Sequence, residues 1–176
     1  MIAGTHAVLW LRLDRPGNDA CRFAEAQGGF LIDGSATDAA WNVTRYRVRA
    51  REDGTTRRAR IGQDSPLFIR RAPGGEWTVN GVPVPGLDEA LDIDLGFTPA
   101  TNTLAIRRLA LPVGAEATIT AARFDPTDER LKPMRQTYRR VSPTEYVYRS
   151  PGFAARLRVD AQGIVRDYEG LWRAQA

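Results

Sequence analysis

The chain has 176 residues, of which 43% are hydrophobic and 26% are charged, and its formal net charge is +4. These values are typical of one soluble globular domain, which at this length buries about 70% of the surface that its unfolded chain exposes. We therefore expect a single domain over residues 1–176. Cys21 is the only cysteine and His6 the only histidine, which excludes an intrachain disulfide and metal sites built on paired histidines. No cofactor and no bound metal are expected.

The first 17 residues, MIAGTHAVLWLRLDRPG, contain no basic segment ahead of their apolar run. That run, residues 7–11, is shorter than the core of a signal peptide, which has about 7–15 apolar residues, and far shorter than a membrane span. We therefore expect no targeting segment, no transmembrane segment and a cytoplasmic protein.

The dominant sequence period is two, which is the period of β-strands. In RYRVRAR, residues 45–51, arginines alternate with Tyr46, Val48 and Ala50. Turn signals rich in proline and glycine separate such segments at regular intervals, as is typical of antiparallel sheets. In chain order, strands are predicted at residues 7–13, 20–26, 30–34, 45–51, 55–62, 67–72, 76–80, 91–95, 117–124, 135–140, 145–149, 155–160 and 165–171.

Helix signals are weak by comparison. LDEAL at residues 87–91 has the length of one helical turn. The segment TNTLAIRRLAL, residues 101–111, fits either a short helix capped by Thr101 or Asn102 or a loop followed by a strand, and we favour the loop and strand. The sequence thus predicts a mainly β, single-domain antiparallel curved sheet, in the form of a half-barrel, β-barrel or β-roll, with at most short helical turns.

Two carboxylates share one face of the predicted strand at residues 91–95. Asp92 and Asp94 lie about 6.5–7 Å apart along the backbone. That spacing approaches the roughly 6.5–9.5 Å between the carboxylates of an inverting glycosidase, so one interpretation is catalysis. A second is binding of the polar groups of a ligand. We favour a third, ion pairs with Arg107 and Arg108 on a returning strand, because opposite charges on neighbouring strands stabilise a hairpin.

Arginine supplies nearly all of the positive charge, since Lys132 is the only lysine. This composition fits either a GC-rich coding sequence or selection of guanidinium groups that hold phosphates or carboxylates through two hydrogen bonds. Nucleic acid binders place aromatic residues among the cations, whereas Tyr46 lies on the opposite strand face from its neighbouring arginines. With 25 basic residues against 21 acidic ones, we interpret the arginine rows as solvated sheet faces and expect no nucleic acid partner.

Four tryptophans lie in or beside predicted strands. In a small curved sheet such residues point inward, where they either fill the core or line an apolar cavity. Other aromatic residues would complete such a cavity, with arginines at its mouth. The aromatic set comprises Trp10, Trp41, Trp77, Trp172, Phe97, Tyr138, Tyr148 and Tyr168.

Four segments carry a resemblance to a known family: HAVLWLRLDRPG, LDIDLGFTPATNTLAIRRL, MRQTYRRV and DYEGLWR. In order and spacing they resemble, along the whole chain, a bacterial family called putative glycolipid-binding proteins. Ala105 departs from the pattern, since relatives often have proline there. The resemblance implies a β-rich half-barrel similar to bacterial lipoprotein carriers and, by analogy of fold, an amphipathic ligand. The matched family positions are Asp94, Gly96, Phe97, Pro99, Asn102, Thr103, Arg107, Arg108, Gln136, Tyr138, Tyr168 and Trp172.

These observations favour a non-catalytic protein that binds an amphipathic small molecule or a glycolipid. Two alternatives stay open: an enzyme that processes a glycoconjugate through Asp92, Asp94 or Glu169, and a module that binds other proteins through a sheet edge or the arginine faces. The loop after residue 95 serves either the ligand or the scaffold, and no pattern indicates an oligomeric state. The predicted ligand-binding residues are Trp10, Trp41, Asp94, Phe97, Asn102, Arg107, Arg108, Gln136, Tyr138, Tyr168 and Trp172.

Overall fold

The computed structural model describes residues 2–175, and in that range the chain forms 15 β-strands and one α-helix. The helix, α1, spans Asn102–Leu109 and lies between β9 and β10. The strands are β1 Thr5–Arg12, β2 Asn18–Ala26, β3 Gly29–Thr37, β4 Val43–Arg51, β5 Thr56–Ile61, β6 Leu67–Arg71, β7 Trp77–Val79, β8 Val82–Val84, β9 Asp92–Leu95, β10 Glu116–Asp125, β11 Arg130–Ser142, β12 Glu145–Ser150, β13 Phe153–Val159, β14 Val165–Tyr168 and β15 Trp172–Ala174.

All of these strands belong to one continuous sheet, in the order β8-β7-β6-β5-β4-β3-β2-β1-β15-β14-β13-β12-β11-β10-β9. β1 and β2 lie near its centre, and β1 pairs with β15, where Trp10 faces Ala174. A meander of six strands, β3 to β8, extends to one side, and a second meander of six, β10 to β15, forms the other. β9 completes the second side by pairing with β10 in parallel.

The inner face of the curved sheet is covered by the segment that joins the two meanders. Alternate residues of a strand share a face, and the inward set is apolar: Trp10, Phe23 and Ile32 are fully buried. The connecting segment contributes its own fully buried residues, Leu95 from β9 and Leu104 from α1, to the same hydrophobic cluster. The interior is therefore packed with the chain's own side chains.

The mainly β curved sheet predicted from the sequence is confirmed, but the sheet is open, so the closed β-barrel among the predicted forms is wrong. β8 and β9 end the sheet and do not pair with each other. Instead, β9 reaches across to β5: the Thr56 amide donates to the Leu91 carbonyl at 2.9 Å, and the Ile93 amide donates to Thr56 Oγ1 at 2.9 Å. The sheet thus curls back towards itself without closing.

The segment at residues 101–111 is helical, so the loop and strand that we favoured there are wrong. Four consecutive residues of α1, from Thr103 to Ile106, are buried. A helix satisfies its backbone hydrogen bonds internally, which lets it fill the space inside a curved sheet where a strand would need paired neighbours. The helix ends at Leu109, and the next residue, Ala110, caps it with φ 43° and donates its amide to the Ile106 carbonyl. No helix in residues 2–175 is long and apolar enough to cross a membrane.

Two further differences concern tryptophans and the end of the chain. Trp10, Trp77 and Trp172 are buried as predicted, but the inward orientation expected for Trp41 is wrong, because 80% of that residue is exposed. Trp41 lies in the turn between β3 and β4, where it does not share the alternation of either strand. The strand predicted at residues 165–171 ends at Tyr168, and residues 169–171 form a turn that leads into β15.

Candidate functional site

Five polar side chains from β9, α1, β10 and β11 form one hydrogen-bonded cluster, which we call the Asp94 cluster. Asp94 Oδ2 accepts from Arg123 Nη1 at 3.0 Å and from Gln136 Nε2 at 2.5 Å. The Tyr138 hydroxyl donates to Gln136 Oε1 at 3.3 Å and accepts from Asn102 Nδ2 at 3.0 Å. The parallel register of β9 and β10 sets Asp94 directly opposite Arg123, so sheet pairing fixes the central ion pair.

Tyrosine rings surround the Asp94 cluster on one side. The ring centroids of Tyr138 and Tyr148 are 5.1 Å apart, and those of Tyr148 and Tyr168 are 6.0 Å apart. Burial raises the pKa of the Tyr138 hydroxyl well above its ordinary value, and burial likewise raises the pKa of Tyr168. These hydroxyls therefore stay neutral. Because the polar atoms of the cluster form hydrogen bonds mainly with one another, the cluster serves to hold α1 in place against the sheet.

Asp92 forms a separate ion pair near the other end of α1. Arg108 Nε lies 3.1 and 3.0 Å from the two carboxylate oxygens, and Arg108 Nη2 lies 2.5 Å from Oδ2. Only 3% of the Asp92 side chain is exposed, and its burial raises the pKa of the carboxyl despite the opposing effect of Arg108. The pair predicted between Asp92 and Arg108 is present, but Arg108 comes from a helix rather than a returning strand.

The two carboxylates of β9 thus have different partners, and Arg107 meets neither of them. Arg107 Nη1 donates to the Gln162 carbonyl at 2.7 Å, and its guanidinium lies 5.9 Å from the Phe30 ring centroid. Asp94 pairs with Arg123, which the sequence analysis did not single out. Across residues 2–175, no group of three or more His, Cys, Asp or Glu side chains is arranged to hold a metal ion.

A third carboxylate, Asp19 on β2, lies fully buried beneath the central strands. Its Oδ2 accepts from the Tyr46 hydroxyl at 2.7 Å and from the Thr98 hydroxyl. Burial raises the pKa of Asp19 to about 6, although these two hydrogen bonds oppose the rise. The Tyr46 ring reaches Asp19 by lying over Gly34, where a Cβ atom would overlap the ring. No periodicity or motif in the sequence indicated this group.

A groove of about 830 Å³ lies on the outer face of the sheet, across β1 to β5. Small residues form its floor: Ala20 and Ser35 face each other on β2 and β3, and Gly62 follows β5. Exposed Leu9 lines one end. We call this the outer groove, and its polar lining residues are Arg22, Asp33, Ser35, Arg45, Arg47, Arg60 and Gln175.

Strand register brings the guanidinium groups of the outer groove together. Arg22 faces Asp33, Asp33 faces Arg47, and Arg47 faces Arg60 on successive strands. Asp33 Oδ2 lies 3.5 Å from Arg22 Nη2 and 2.8 Å from Arg47 Nη2, so one carboxylate positions two cations. Arg45 lies two residues from Arg47 on the same strand face. The alternating arginines were visible in the sequence, but their convergence over small residues depends on the pairing of four strands.

The comparisons with known proteins agree with this architecture. A family model described as "Putative glycolipid-binding" matches residues 7–174. The chain belongs to this family. The solved structure of a DUF1089 family protein from Pseudomonas aeruginosa is similar to it, with 29% sequence identity over 98% of this chain and 93% of that chain, and a TM-score of 0.68. A comparison with curated proteins returns no match.

The ligand-binding residues predicted from the aromatic pattern and from the family resemblance do not form one site. The Asp94 cluster contains Asp94, Asn102, Gln136 and Tyr138, and Tyr168 adjoins it through Tyr148.

The other predicted residues are dispersed over the molecule. Phe97 packs between Tyr46 and Phe124, with ring centroids 5.7 and 6.3 Å away. Trp10 donates its Nε1 hydrogen to the Val165 carbonyl at 2.8 Å. The remaining members lie elsewhere: Trp172 beneath Arg12, Arg107 and Arg108 on α1, and Trp41 in an exposed turn.

Proposed function

We propose that this protein binds an amphipathic small molecule, a glycolipid or a compound of the same polarity, without catalysing a reaction on it, and that the ligand lies in the outer groove. The observation that carries the proposal is the size and polarity of that groove. Its volume of about 830 Å³ lies within the roughly 300–1,000 Å³ of small-molecule sites. The description of the family supports the class of ligand.

The charges of the outer groove favour an anionic or hydroxyl-rich head group. Its four arginines and one aspartate give a formal charge of +3. Arg22 and Arg47 are held by Asp33, whereas among residues 2–175 no ion pair engages Arg45 or Arg60. Guanidinium groups hold phosphates and carboxylates through paired hydrogen bonds and also donate to sugar hydroxyls. Arg45 and Arg60 are therefore the groups that we assign to the ligand.

The packed interior supports an external location for the ligand. An internal site would need room between the sheet and the segment that covers it, yet Leu95, Leu104 and Ile93 fill that space with at most 1% of each residue exposed. Of the two roles expected for the aromatic residues, filling the core or lining a cavity, they fill the core or pack against it, except for Trp41.

The state of the carboxylates supports binding rather than catalysis. Asp92 and Asp94 are each engaged by a guanidinium group, and Asp33 is engaged by two. Asp19 has the raised pKa that suits a general acid, but it is fully buried behind the strands that form the groove floor. None of these four aspartates combines access to the groove with a free carboxyl group.

Native mass spectrometry tests the proposal on freshly purified protein, before and after solvent extraction and after incubation with a bacterial lipid extract. We expect a non-covalent adduct that extraction removes and that the lipid extract restores. Wild-type protein that carries no adduct under any of these conditions would contradict the proposal.

A matched pair of variants tests the location. Ala20→Trp places an indole on the groove floor, while Ala154→Trp makes the same change at an exposed outward position on β13, in the other meander. We expect Ala20→Trp to lose the adduct and Ala154→Trp to keep it. Equal binding by the two variants would show that the ligand does not bind in the outer groove, even if the protein binds lipid elsewhere.

A further inference from the structure

Four large apolar side chains project into solvent at one end of the sheet, next to the outer groove. The exposed fractions are 42% for Leu11, 44% for Leu13, 80% for Trp41 and 53% for Val43. We call this set the apolar rim. Single exposed apolar residues are ordinary, but several large ones at the same end of a sheet indicate an interaction surface.

Strand register places the members of the apolar rim at the same end of the sheet, as one pair beside β1 and one pair beside β4. Leu11 and Val43 lie on the outward face in one row of register partners across β1 to β4, with Asn18 and Thr37 between them. The two turns that follow β1 and precede β4 are also neighbours. Asn18, the first residue of β2, and Thr37, the last residue of β3, are register partners, which sets the turn before β2 beside the turn after β3.

The turn between β3 and β4 fixes Trp41 in its outward position. Trp41 has φ 64°, a left-handed conformation that is unfavourable for a bulky side chain. Asp38 imposes it: Oδ1 accepts from the Ala40 and Asn42 amides at 2.8 and 3.0 Å, and the Asp38 carbonyl accepts from the Trp41 amide at 3.0 Å. A strained backbone that presents an exposed indole indicates a partner that covers it.

The charged side chains beside the apolar rim indicate which kind of partner binds there. Arg45 lies two residues from Val43 on the same strand face, about 6.5–7 Å further from the end of the sheet. The outer groove to which Arg45 belongs has a formal charge of +3. The acidic residues of the turns are already engaged, because Asp14 pairs with Arg12 at 2.7 Å and Asp38 closes its own turn. An apolar edge followed by cations is the order that an anionic bilayer surface requires.

We propose that the apolar rim docks this protein on an anionic lipid bilayer, with Trp41 in the interfacial layer and the arginines of the outer groove at the level of the lipid phosphates. Tryptophan favours this layer because its ring is apolar and its N–H still finds a polar partner. The proposal goes beyond ligand binding in the groove and does not depend on it. Together, membrane docking and ligand binding place the opening of the outer groove beside the bilayer, in which an amphipathic ligand dissolves.

Flotation of the purified protein with vesicles tests this inference. One set of vesicles contains phosphatidylcholine alone, and the other contains phosphatidylcholine and phosphatidylserine in equal parts. We expect wild-type protein to float with the mixed vesicles, to bind the neutral vesicles more weakly, and to be released as salt screens the arginines. Wild-type protein that floats with neither set would overturn the proposal.

Trp41→Gly is the decisive variant, because glycine accepts the positive φ of this position and leaves the turn intact. We expect it to bind the mixed vesicles about tenfold more weakly, a factor that corresponds to ~1.4 kcal/mol. Phe153→Ala removes a 38% exposed aromatic residue from β13 and should bind like wild type. Trp41→Gly that floats like wild type would refute the assignment.

Two further readouts separate this inference from its alternatives. Sedimentation without lipid tests the rim as a protein interface: a dimer that Trp41→Gly abolishes, without any flotation of wild type, would show that the rim binds a second copy and overturn membrane docking. Trp41→Gly should also keep the adduct of native mass spectrometry, so failure of docking and failure of ligand binding in the groove are distinguishable.

Discussion

Asp19 makes the stability of this protein depend on pH in the direction opposite to that of an ion-paired carboxylate. Burial raises the pKa of Asp19 from 3.8 to about 6 in the folded chain. Between those two pH values the folded protein keeps a proton that the unfolded protein has lost. The free energy of unfolding therefore falls as pH rises through this window, and the protein regains that stability on acidification. Asp19→Asn removes the ionisation and should remove this dependence.

The size of the effect follows from the shift in pKa. A rise of about two units, at 1.36 kcal/mol for each unit, corresponds to about 3 kcal/mol. Solvent screening does not reduce this figure, since Asp19 is fully buried. Asparagine is close in shape, and the hydroxyl oxygens of Tyr46 and Thr98 can accept hydrogen bonds from its amide. We expect Asp19→Asn to match wild type near pH 4 and to exceed its stability by up to about 3 kcal/mol above pH 7.

Urea denaturation of the two proteins at a series of pH values between about 4 and 8 measures this difference. Subtracting one free energy of unfolding from the other cancels the carboxyl groups that the two chains share. Asp125→Asn, at an exposed carboxylate, provides the control and should show no comparable gain above pH 7. A difference between Asp19→Asn and wild type that stays constant with pH, or that favours wild type as pH rises, would refute the reasoning.

Three other substitutions or treatments test the buried groups. Arg108→Met should lower the free energy of unfolding by about 3–5 kcal/mol, because it leaves the Asp92 carboxylate buried and unpaired; adding Asp92→Asn should restore part of the loss, and urea denaturation measures both. Gly34→Ala should lower stability by about 1–3 kcal/mol, since the new Cβ overlaps the Tyr46 ring; an unchanged thermal midpoint would contradict that contact. Burial raises the pKa of the Cys21 thiol, so a thiol reagent at pH 8 should react only after denaturant unfolds the chain, and rapid labelling of native protein would show the burial to be wrong.

The strands were predictable because polar and apolar residues alternate within each one, which indicates the residues that face solvent and those that face the core. In β4, Arg45 and Arg47 alternate with Tyr46 and Val48, and the structure exposes the first pair and buries the second. Helix α1 was harder, because Asn102–Leu109 is only eight residues long and its apolar residues also fit a strand. What decides its conformation is the space inside the curved sheet, which local sequence does not describe.

Both candidate sites depend on contacts between distant residues, and this limits what the sequence can predict. The members of the Asp94 cluster were named through family resemblance, yet the central partner, Arg123, was missed because the parallel pairing of β9 and β10 was not foreseen. From the sequence, the arginines of the outer groove were interpreted as part of a solvated sheet face. Its recess exists because Ala20 and Ser35 become neighbours of Arg45, and no single strand contains all three.

The pairing of β1 with β15 has a consequence for how the protein folds during its synthesis. Trp10 and Ala174, which face each other there, are 164 positions apart in the chain, whereas each meander grows by hairpins between consecutive strands. On the ribosome the hairpins can assemble as they emerge, but the pairing of β1 cannot be completed before β15 is synthesised. Until then the lateral edges of β1 and β14 stand open. We expect chaperones to bind the chain, and incorrect strand pairing to occur, mainly before β15 is in place.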